Sequence, residues 1–218
     1  MASKQDKALA QAVLYQYGQT FSEQLRIHAE QNAPSSLFQL LVFSLLSSTR
    51  ISHEAAMTAF EALRDAGWTT PEKMAAATWA ERVEVLNTHG YARYDESTSR
   101  MLEETCRTLL DKYGGDLRNL RQQAARDVDK ERERLKEFKG IGDVGAAIFL
   151  REVQVVWEEV FPFADQRALE AASNLGLPRD VDQLRELTGD QDFPRLVAGL
   201  VQVALADGYD SVRQAAEA

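Results

Sequence analysis

Two glycines in the segment LKEFKGIGDVGAAIFL lie where one helix should end and the next begin. Gly140 and Gly142 flank Ile141, so the turn is tight and its bare backbone can come close to another molecule. The first amides of the second helix have no partner within the helix, and the helix dipole adds to their preference for anions. The segment therefore predicts either a phosphate-binding hairpin or an ordinary turn between two helices.

Asp165 is a second candidate for chemistry, in the segment FPFADQRALEAASNLGLP. Pro162 breaks the preceding structure, and Asp165 opens the next helix. A carboxylate here can stabilise positive charge that develops on a substrate, and it can also activate a water molecule. Aspartate is also among the preferred N-cap residues, so the same position fits a purely structural cap. Both roles stay open.

The elements that position these residues are helices. Apolar residues recur at helical spacing almost throughout, and alternating β-branched runs are lacking, so we predict an all-α fold. The segment LFQLLVFSLLSS is apolar on nearly every side, which predicts a central helix. We expect one long N-terminal helix over residues 5–31 and a final helix over about 192–207. Further helices are expected over about 53–66, 71–77, 79–87, 95–113, 117–124, 127–136, 143–157, 165–176 and 181–188.

The formal net charge of -9 counts against a general polyanion binder, because Lys and Arg supply most of the attraction to phosphates. A local basic run can nevertheless act as a footprint on an acidic protein. Such a run extends from Arg118 to Lys139, and on charge alone a solvated helix face is the simpler interpretation of it. Its basic members are Arg118, Arg121, Arg126, Lys130, Arg132, Arg134, Lys136 and Lys139.

Cysteine use and hydrophobicity bear on the class of protein. The single cysteine, Cys106, cannot form an intramolecular disulfide, and its helical surroundings predict a buried, inert thiol. No apolar run is long enough to predict a membrane span. We therefore expect a cytoplasmic protein.

The hairpin and the aspartate together resemble the helix-hairpin-helix and Gly/Pro-Asp signature of endonuclease III, adenine glycosylase and their relatives, the HhH-GPD superfamily. In that superfamily a hairpin of the form LPGVG is followed by an aspartate at the start of a later helix, and Asp165 stands at the matching place. The segments LFQLLVFSLLSS and EETCRTLLDKYGG also look like family helices. The resemblance covers roughly residues 35–178.

The resemblance implies a two-lobed helical DNA glycosylase fold. A six-helix barrel would occupy 36–156, with the helix-hairpin-helix at about 128–156, and a second lobe would combine 1–35 with 157–218. The implied partner is double-stranded DNA with a damaged or mispaired base, bound across the cleft between the lobes with the target nucleotide rotated out of the stack. The expected protein is a nucleoid-associated monomer that has no membrane partner.

The resemblance also assigns site residues. Asp165 would be the catalytic carboxylate, because cleavage of an N-glycosidic bond builds positive charge on the sugar. The backbone carbonyls of Lys136, Phe138 and Ile141 would hold a monovalent cation, Na⁺ or K⁺, that bridges to a phosphate. The residues expected to contact DNA are Lys139, Gly140, Ile141, Gly142, Asp143, Val144, Gly145, Arg50 and Arg93.

Three features depart from the endonuclease III pattern. Val144 stands where the family has its lysine nucleophile, so a Schiff-base lyase reaction is not expected. With one cysteine, the sequence has no four-cysteine iron-sulfur loop, and we expect no iron-sulfur cluster. The family's DNA-inserting glutamine is replaced around Ser48-Thr49-Arg50. Arg50 is long enough to fill the gap left by a flipped base, and it fits a surface arginine at a helix end equally well.

A second loop combines His89, Tyr91, Arg93 and Tyr94. Aromatic and basic residues in such a mixture can stack on a base or grip a backbone. The alternative is a packed loop that its two tyrosines anchor.

These observations lead to one expected function and two alternatives. The expected function is a monofunctional DNA glycosylase of base excision repair that lacks an iron-sulfur cluster. The first alternative is a non-catalytic helix-hairpin-helix protein that recognises damaged or distorted DNA. The second is a helical interaction protein that does not bind DNA.

Overall fold

The computed structural model describes residues 3–49 and 51–217, and every regular element in these residues is helical, which confirms the all-α prediction. A 3₁₀ turn lies at Ala29–Gln31 and a π-helical turn at Asn87–Tyr91. The α-helices in chain order are α1 Lys4–Tyr17, α2 Phe21–Gln24, α3 Pro34–Ser47, α4 His53–Asp65, α5 Pro71–Ala76, α6 Trp79–Leu86, α7 Asp95–Tyr113, α8 Leu117–Gln123, α9 Val128–Leu135, α10 Asp143–Val153, α11 Gln166–Leu175, α12 Val181–Thr188, α13 Phe193–Ala206 and α14 Tyr209–Glu217.

The chain divides into two compact units. One is Leu25–Leu150; the other joins the chain up to Gln24 to the chain from Arg151 onward. The lobe boundaries implied by the family resemblance stay a prediction. Among the described residues, no helix is both long enough and apolar enough to cross a membrane.

Helix α3 forms the core of the unit Leu25–Leu150. Pro34 starts it at the first helical position, where a proline loses no hydrogen bond. Its apolar side chains are buried on all sides, which confirms the prediction of a central helix. Helix α3 packs against α4 and α8, and α7 packs against α5, α6 and α8.

In the other unit, helix α1 packs against α12, α13 and α14, and α11 packs against α13. Gly199 in α13 allows the close approach to α1, because a Cβ at that position would lie 2.9 Å from Val13 and 3.1 Å from the Tyr17 carbonyl oxygen. The contact between the two helices therefore depends on the lack of a side chain at Gly199.

The prediction of a single helix over residues 5–31 is wrong. Helix α1 ends at Gly18, whose N–H donates to the Leu14 carbonyl at 3.0 Å and where a Cβ would collide with that carbonyl. Only α2 and the 3₁₀ turn follow before α3. The sequence analysis also missed α14, because its apolar face is thin and Val212 is its one buried residue.

Arg82 of helix α6 is a charged residue in the core of the unit Leu25–Leu150, with 1% of its surface exposed. Its guanidinium donates to the Met74 and Ala77 carbonyls at 3.1 and 2.6 Å, and to the Ser99 hydroxyl at 3.2 Å. It also pairs with Glu103 at 2.8 Å. One side chain thus joins α5, α6 and α7.

We predict that Arg82→Ala lowers the free energy of unfolding by roughly 3 kcal/mol, because buried acceptors lose their donor. Urea denaturation measures the change. Arg107→Ala is the matched control, since exposed Arg107 pairs with the same Glu103 at 3.3 Å. The control should shift stability by less than about 0.5 kcal/mol. Equal effects of the two variants would contradict the prediction.

Candidate nucleic-acid interface and the buried carboxylate

The hairpin consists of helix α9, a turn over 136–142, and helix α10. In the turn, Phe138 and Ile141 are buried, whereas Lys139, Gly140 and Gly142 are exposed. The Ile141 N–H donates to the Phe138 carbonyl at 3.0 Å, which closes the turn. The buried side chains anchor the hairpin while its backbone faces solvent.

Two hydroxyl groups hold the turn from neighbouring helices. The Thr105 hydroxyl donates to the Lys139 carbonyl at 3.2 Å, and the Ser48 hydroxyl donates to the Gly140 carbonyl at 3.1 Å. Gly140 has a φ of +88°, and a Cβ there would lie 2.7 Å from the Met101 sulfur. Both the left-handed backbone and the close packing therefore require glycine at 140.

The opening of α10 presents backbone amides. Its first intrahelical hydrogen bond runs from the Ala146 N–H to the Gly142 carbonyl at 2.9 Å, so the amides of Asp143, Val144 and Gly145 precede the helix ladder. A Cβ on Gly142 would meet no atom within 4 Å, and Val144 is 63% exposed. An anion has open access to this helix end.

One acidic side chain competes for the same position. Asp143 lies at the start of α10, and the Lys136 ammonium lies 2.9 Å from its carboxylate and 3.1 Å from that of Glu133. The hydrogen bond from Lys136 lowers the pKa of Asp143, and the hydrogen bond to Asp143 raises the pKa of Lys136. Lys136 therefore partly offsets the negative charge that Asp143 adds at the helix opening.

Part of the basic run before the hairpin is engaged in ion pairs. Lys130 pairs with Asp127 at 3.2 Å, and Arg118 pairs with Asp116 at 2.7 Å. Lys139 is exposed at the turn and forms no ion pair with a described residue. Among the described residues of the turn, Lys139 is therefore the cation without an ion pair, whereas Lys136 pairs with Asp143 and Glu133.

The turn also contains the three carbonyls expected to hold a monovalent cation. Phe138 uses its carbonyl for the Ile141 amide, and a carbonyl oxygen has a second lone pair. The backbone hydrogen bonds of the described turn leave the Lys136 and Ile141 carbonyls free to accept. This oxygen donor set is compatible with Na⁺ or K⁺, and the cation itself stays a prediction.

Tyr91 in the π-helical turn is buried, and its hydroxyl donates to the Leu46 carbonyl at 2.9 Å and contacts the Thr49 hydroxyl. Burial raises the pKa of Tyr91. The tyrosine therefore anchors its loop at the end of α3, as the packed-loop interpretation holds. Arg93 is exposed, with its guanidinium 5.5 Å from the centre of the Tyr94 ring. Arg50 lies outside the described residues.

Asp165 belongs to the other unit and caps helix α11. One carboxylate oxygen accepts the Ala168 N–H at 2.8 Å, and the other pairs with the Arg151 guanidinium. Asp165 is 8% exposed and Arg151 is 4% exposed. Arg151 also lies 4.8 Å from the centre of the Phe21 ring, which is a cation–π contact. Each oxygen of the candidate catalytic carboxylate thus has a protein partner.

A second carboxylate completes this buried network. Glu152 lies 3.4 Å from Arg151 and accepts from both the backbone N–H and the hydroxyl of Ser22, at 2.9 and 2.8 Å. Gln154 fixes the approach to Asp165, since its amide group donates to the Phe163 carbonyl and accepts the Phe163 N–H, both at 3.0 Å. The sequence analysis missed Arg151, Glu152 and Gln154. Charged neighbours inside the apolar stretch of α10 were the available signal.

The thiol of Cys106 takes no part in either region. The side chain is buried, and burial raises its pKa to about 12. The expectation of a buried, unreactive cysteine is consistent with this environment.

The all-helical fold is similar to that of endonuclease III. One solved structure is a trapped endonuclease III–DNA covalent intermediate in an estranged-adenine complex, with a TM-score of 0.55. A second solved structure is a non-covalent endonuclease III–DNA complex, with a TM-score of 0.56. Each shares 17% identity with this chain, and the alignments cover 93% of this chain and 86% of the other. Neither a protein-family model nor a curated protein sequence matches the chain.

We predict that Asp165→Asn lowers the free energy of unfolding by roughly 3 kcal/mol. Asparagine keeps the N-cap, so the loss isolates the ion pair with buried Arg151. Asp180→Asn is the matched control, because Asp180 caps α12 through the Gln183 N–H at 2.9 Å but is exposed. It should change stability by no more than about 0.5 kcal/mol. Urea denaturation measures both variants. If Asp165→Asn and Asp180→Asn lowered the free energy of unfolding by the same small amount, the ion pair between Asp165 and Arg151 would contribute little to stability.

Proposed function

We propose that the protein binds double-stranded DNA, with the hairpin backbone around Gly142 placed on a phosphate of the DNA. The observation that carries the proposal is the exposed start of α10. The backbone amides there come before the first intrahelical hydrogen bond, and no atom lies within 4 Å of a Cβ placed on Gly142. Two solved structures with a similar fold are endonuclease III complexes with DNA, which supports the same partner.

A backbone clamp also suits an acidic protein. The amides of α10 and the helix dipole attract a phosphate without any side-chain charge. Lys139, and Arg93 elsewhere in the same unit, are exposed cations that can add contacts to the DNA backbone. The substrate class we propose is damaged or mispaired duplex, in which unstacking a nucleotide costs less than in intact DNA.

The contacts of Asp165 favour recognition without base excision. A glycosylase carboxylate must act on positive charge that develops on the sugar, and a buried guanidinium already compensates the charge of Asp165. Val144 offers no amine for covalent attack on the sugar. We therefore propose a non-catalytic DNA-binding protein first.

A monofunctional DNA glycosylase is the second candidate. The observation in its favour is the rigid placement of Asp165, which the Ala168 amide and Arg151 hold from two sides next to a segment clamped by Gln154. Preorganised carboxylates of this kind serve transition-state stabilisation when substrate can reach them.

Gly142→Glu tests the proposed DNA contact. The new side chain enters open space, so the fold should persist, while its charge and bulk oppose a phosphate at the helix opening. We expect the affinity for a labelled duplex to fall by about tenfold or more in fluorescence anisotropy, and the dependence of binding on salt to become less steep. Unchanged affinity would contradict a hairpin contact.

Gln183→Glu is the matched control for that experiment. Gln183 is exposed in the first turn of α12, so the variant adds the same charge at another helix opening. It should bind DNA nearly as well as the wild-type protein. A loss equal to that of Gly142→Glu would indicate that net charge, rather than the hairpin, controls binding.

Single-turnover incubation decides between binding and excision. Duplexes that carry uracil, alkylated, oxidised or mispaired bases are incubated with excess protein, and hot alkali then reveals abasic sites. We expect binding without base release. The contrary result is base release by the wild-type protein that Asp165→Asn abolishes, measured at a temperature where circular dichroism shows the variant folded. That result would favour the DNA glycosylase over our proposal.

A further inference from the structure

A polar pocket of about 370 Å³ lies beside helix α8, within the unit Leu25–Leu150. Its lining contains three guanidinium groups, two short carboxamides and a carboxylate. These belong to Arg118, Arg121, Arg126, Asn32, Asn119 and Asp116. A pocket for an apolar small molecule has mostly hydrophobic walls, so this lining indicates a strongly polar ligand.

The charge of the pocket indicates an anion. Three arginines against one aspartate give these lining residues a formal charge of +2, in a chain whose formal charge is -9. The guanidinium of Arg118 is oriented by Asp116 through contacts of 2.7 to 3.0 Å, and this hydrogen bonding raises the pKa of Arg118. A planar, oriented guanidinium is suited to phosphate, which it can bind through two parallel hydrogen bonds.

An unfavourable backbone conformation places Arg126 at the pocket. Ala125 and Arg126 both have left-handed φ angles, +57° and +56°, which residues with a side chain adopt rarely. The Arg126 N–H donates to the Arg121 carbonyl at 3.1 Å, and the Ala125 N–H donates to the Gln122 carbonyl at 3.0 Å. The turn folds back at the end of α8, and exposed Arg126 forms no ion pair with a described residue.

The carboxamides suit the edge of a nucleobase. Asn119 uses its amide nitrogen to donate to the Tyr113 carbonyl at 2.9 Å, which leaves its amide oxygen as an acceptor. Asn32 also has a left-handed φ, +51°, at the end of the 3₁₀ turn. Asparagine reads base edges through hydrogen bonds, and guanidinium planes stack on base faces.

We propose that this pocket binds one nucleoside monophosphate, with Arg126 on the phosphate and the Asn119 carboxamide on the base. The ligand is either a free nucleotide or the 5′-phosphorylated end of a DNA strand. The pocket is larger than inorganic phosphate requires, and it falls in the size range of small-molecule sites. This site is separate in sequence from the hairpin and does not depend on the proposed DNA contact at Gly142.

Isothermal titration calorimetry with dAMP and dGMP tests the pocket. We expect the wild-type protein to bind a nucleotide with a Kd on the order of 0.1–1 mM. Arg126→Gln should weaken binding by about tenfold, because it removes a charged hydrogen-bond donor from the phosphate. Arg107→Gln, which makes the same charge change at an exposed position of α7, should bind as the wild type does. Deoxyadenosine without its phosphate should not bind, and inorganic phosphate should bind more weakly than dAMP.

Competition distinguishes the two sources of the ligand. Short single strands with and without a 5′-phosphate are titrated against bound dAMP, and displacement by the phosphorylated strand alone identifies a strand end. Displacement by neither identifies a free nucleotide. Gly142→Glu should retain dAMP binding. The duplex measurement therefore tests the hairpin contact, and the dAMP measurement tests the pocket independently of it. Absence of saturable heat with both nucleotides, or equal binding by Arg126→Gln and the wild type, would overturn the proposal.

Discussion

A buried guanidinium needs negatively charged partners to compensate its charge, and in the unit that contains Asp165 the buried guanidinium is that of Arg151. Asp165 and Glu152 both face Arg151, and Ser22 satisfies Glu152 with its backbone amide and hydroxyl. Removing one member of such a network leaves the others buried without a partner, which costs more than the intact network contributes. The network thereby fixes the entry to α11, the end of α10 and the start of α2, which are distant in sequence.

The same requirement limits what Asp165 can do. A carboxylate that caps a helix and pairs with a buried arginine is fixed in position, but the arginine already neutralises its charge. The hairpin does not depend on a buried ion pair, because backbone amides and a helix dipole supply its attraction for anions. Binding can therefore be independent of Asp165, whereas excision would require Asp165 to serve structure and chemistry together.

Local patterns predicted the parts of the fold that depend on local chemistry. Periodicity gave the helices, the glycines marked the hairpin, and Asp165 was expected at a helix start, where it is the N-cap of α11. The break at Gly18 was missed because the apolar period continues across it, and α14 was missed because its apolar face is thin. The partner of Asp165 was missed because Arg151 meets it through tertiary packing, which spacing along one chain does not encode.

The net charge of -9 is less of an obstacle to the proposed DNA binding than it suggests. Part of the basic run is engaged in solvated ion pairs such as Lys130 with Asp127, and such pairs contribute little to stability. In the DNA contact that we propose, the attraction for a phosphate comes from the backbone amides at the opening of α10 rather than from the number of basic side chains. Lys136, which also pairs with Glu133, partly offsets the charge of Asp143 at that opening, so a phosphate can approach the hairpin although the net charge of the protein is negative.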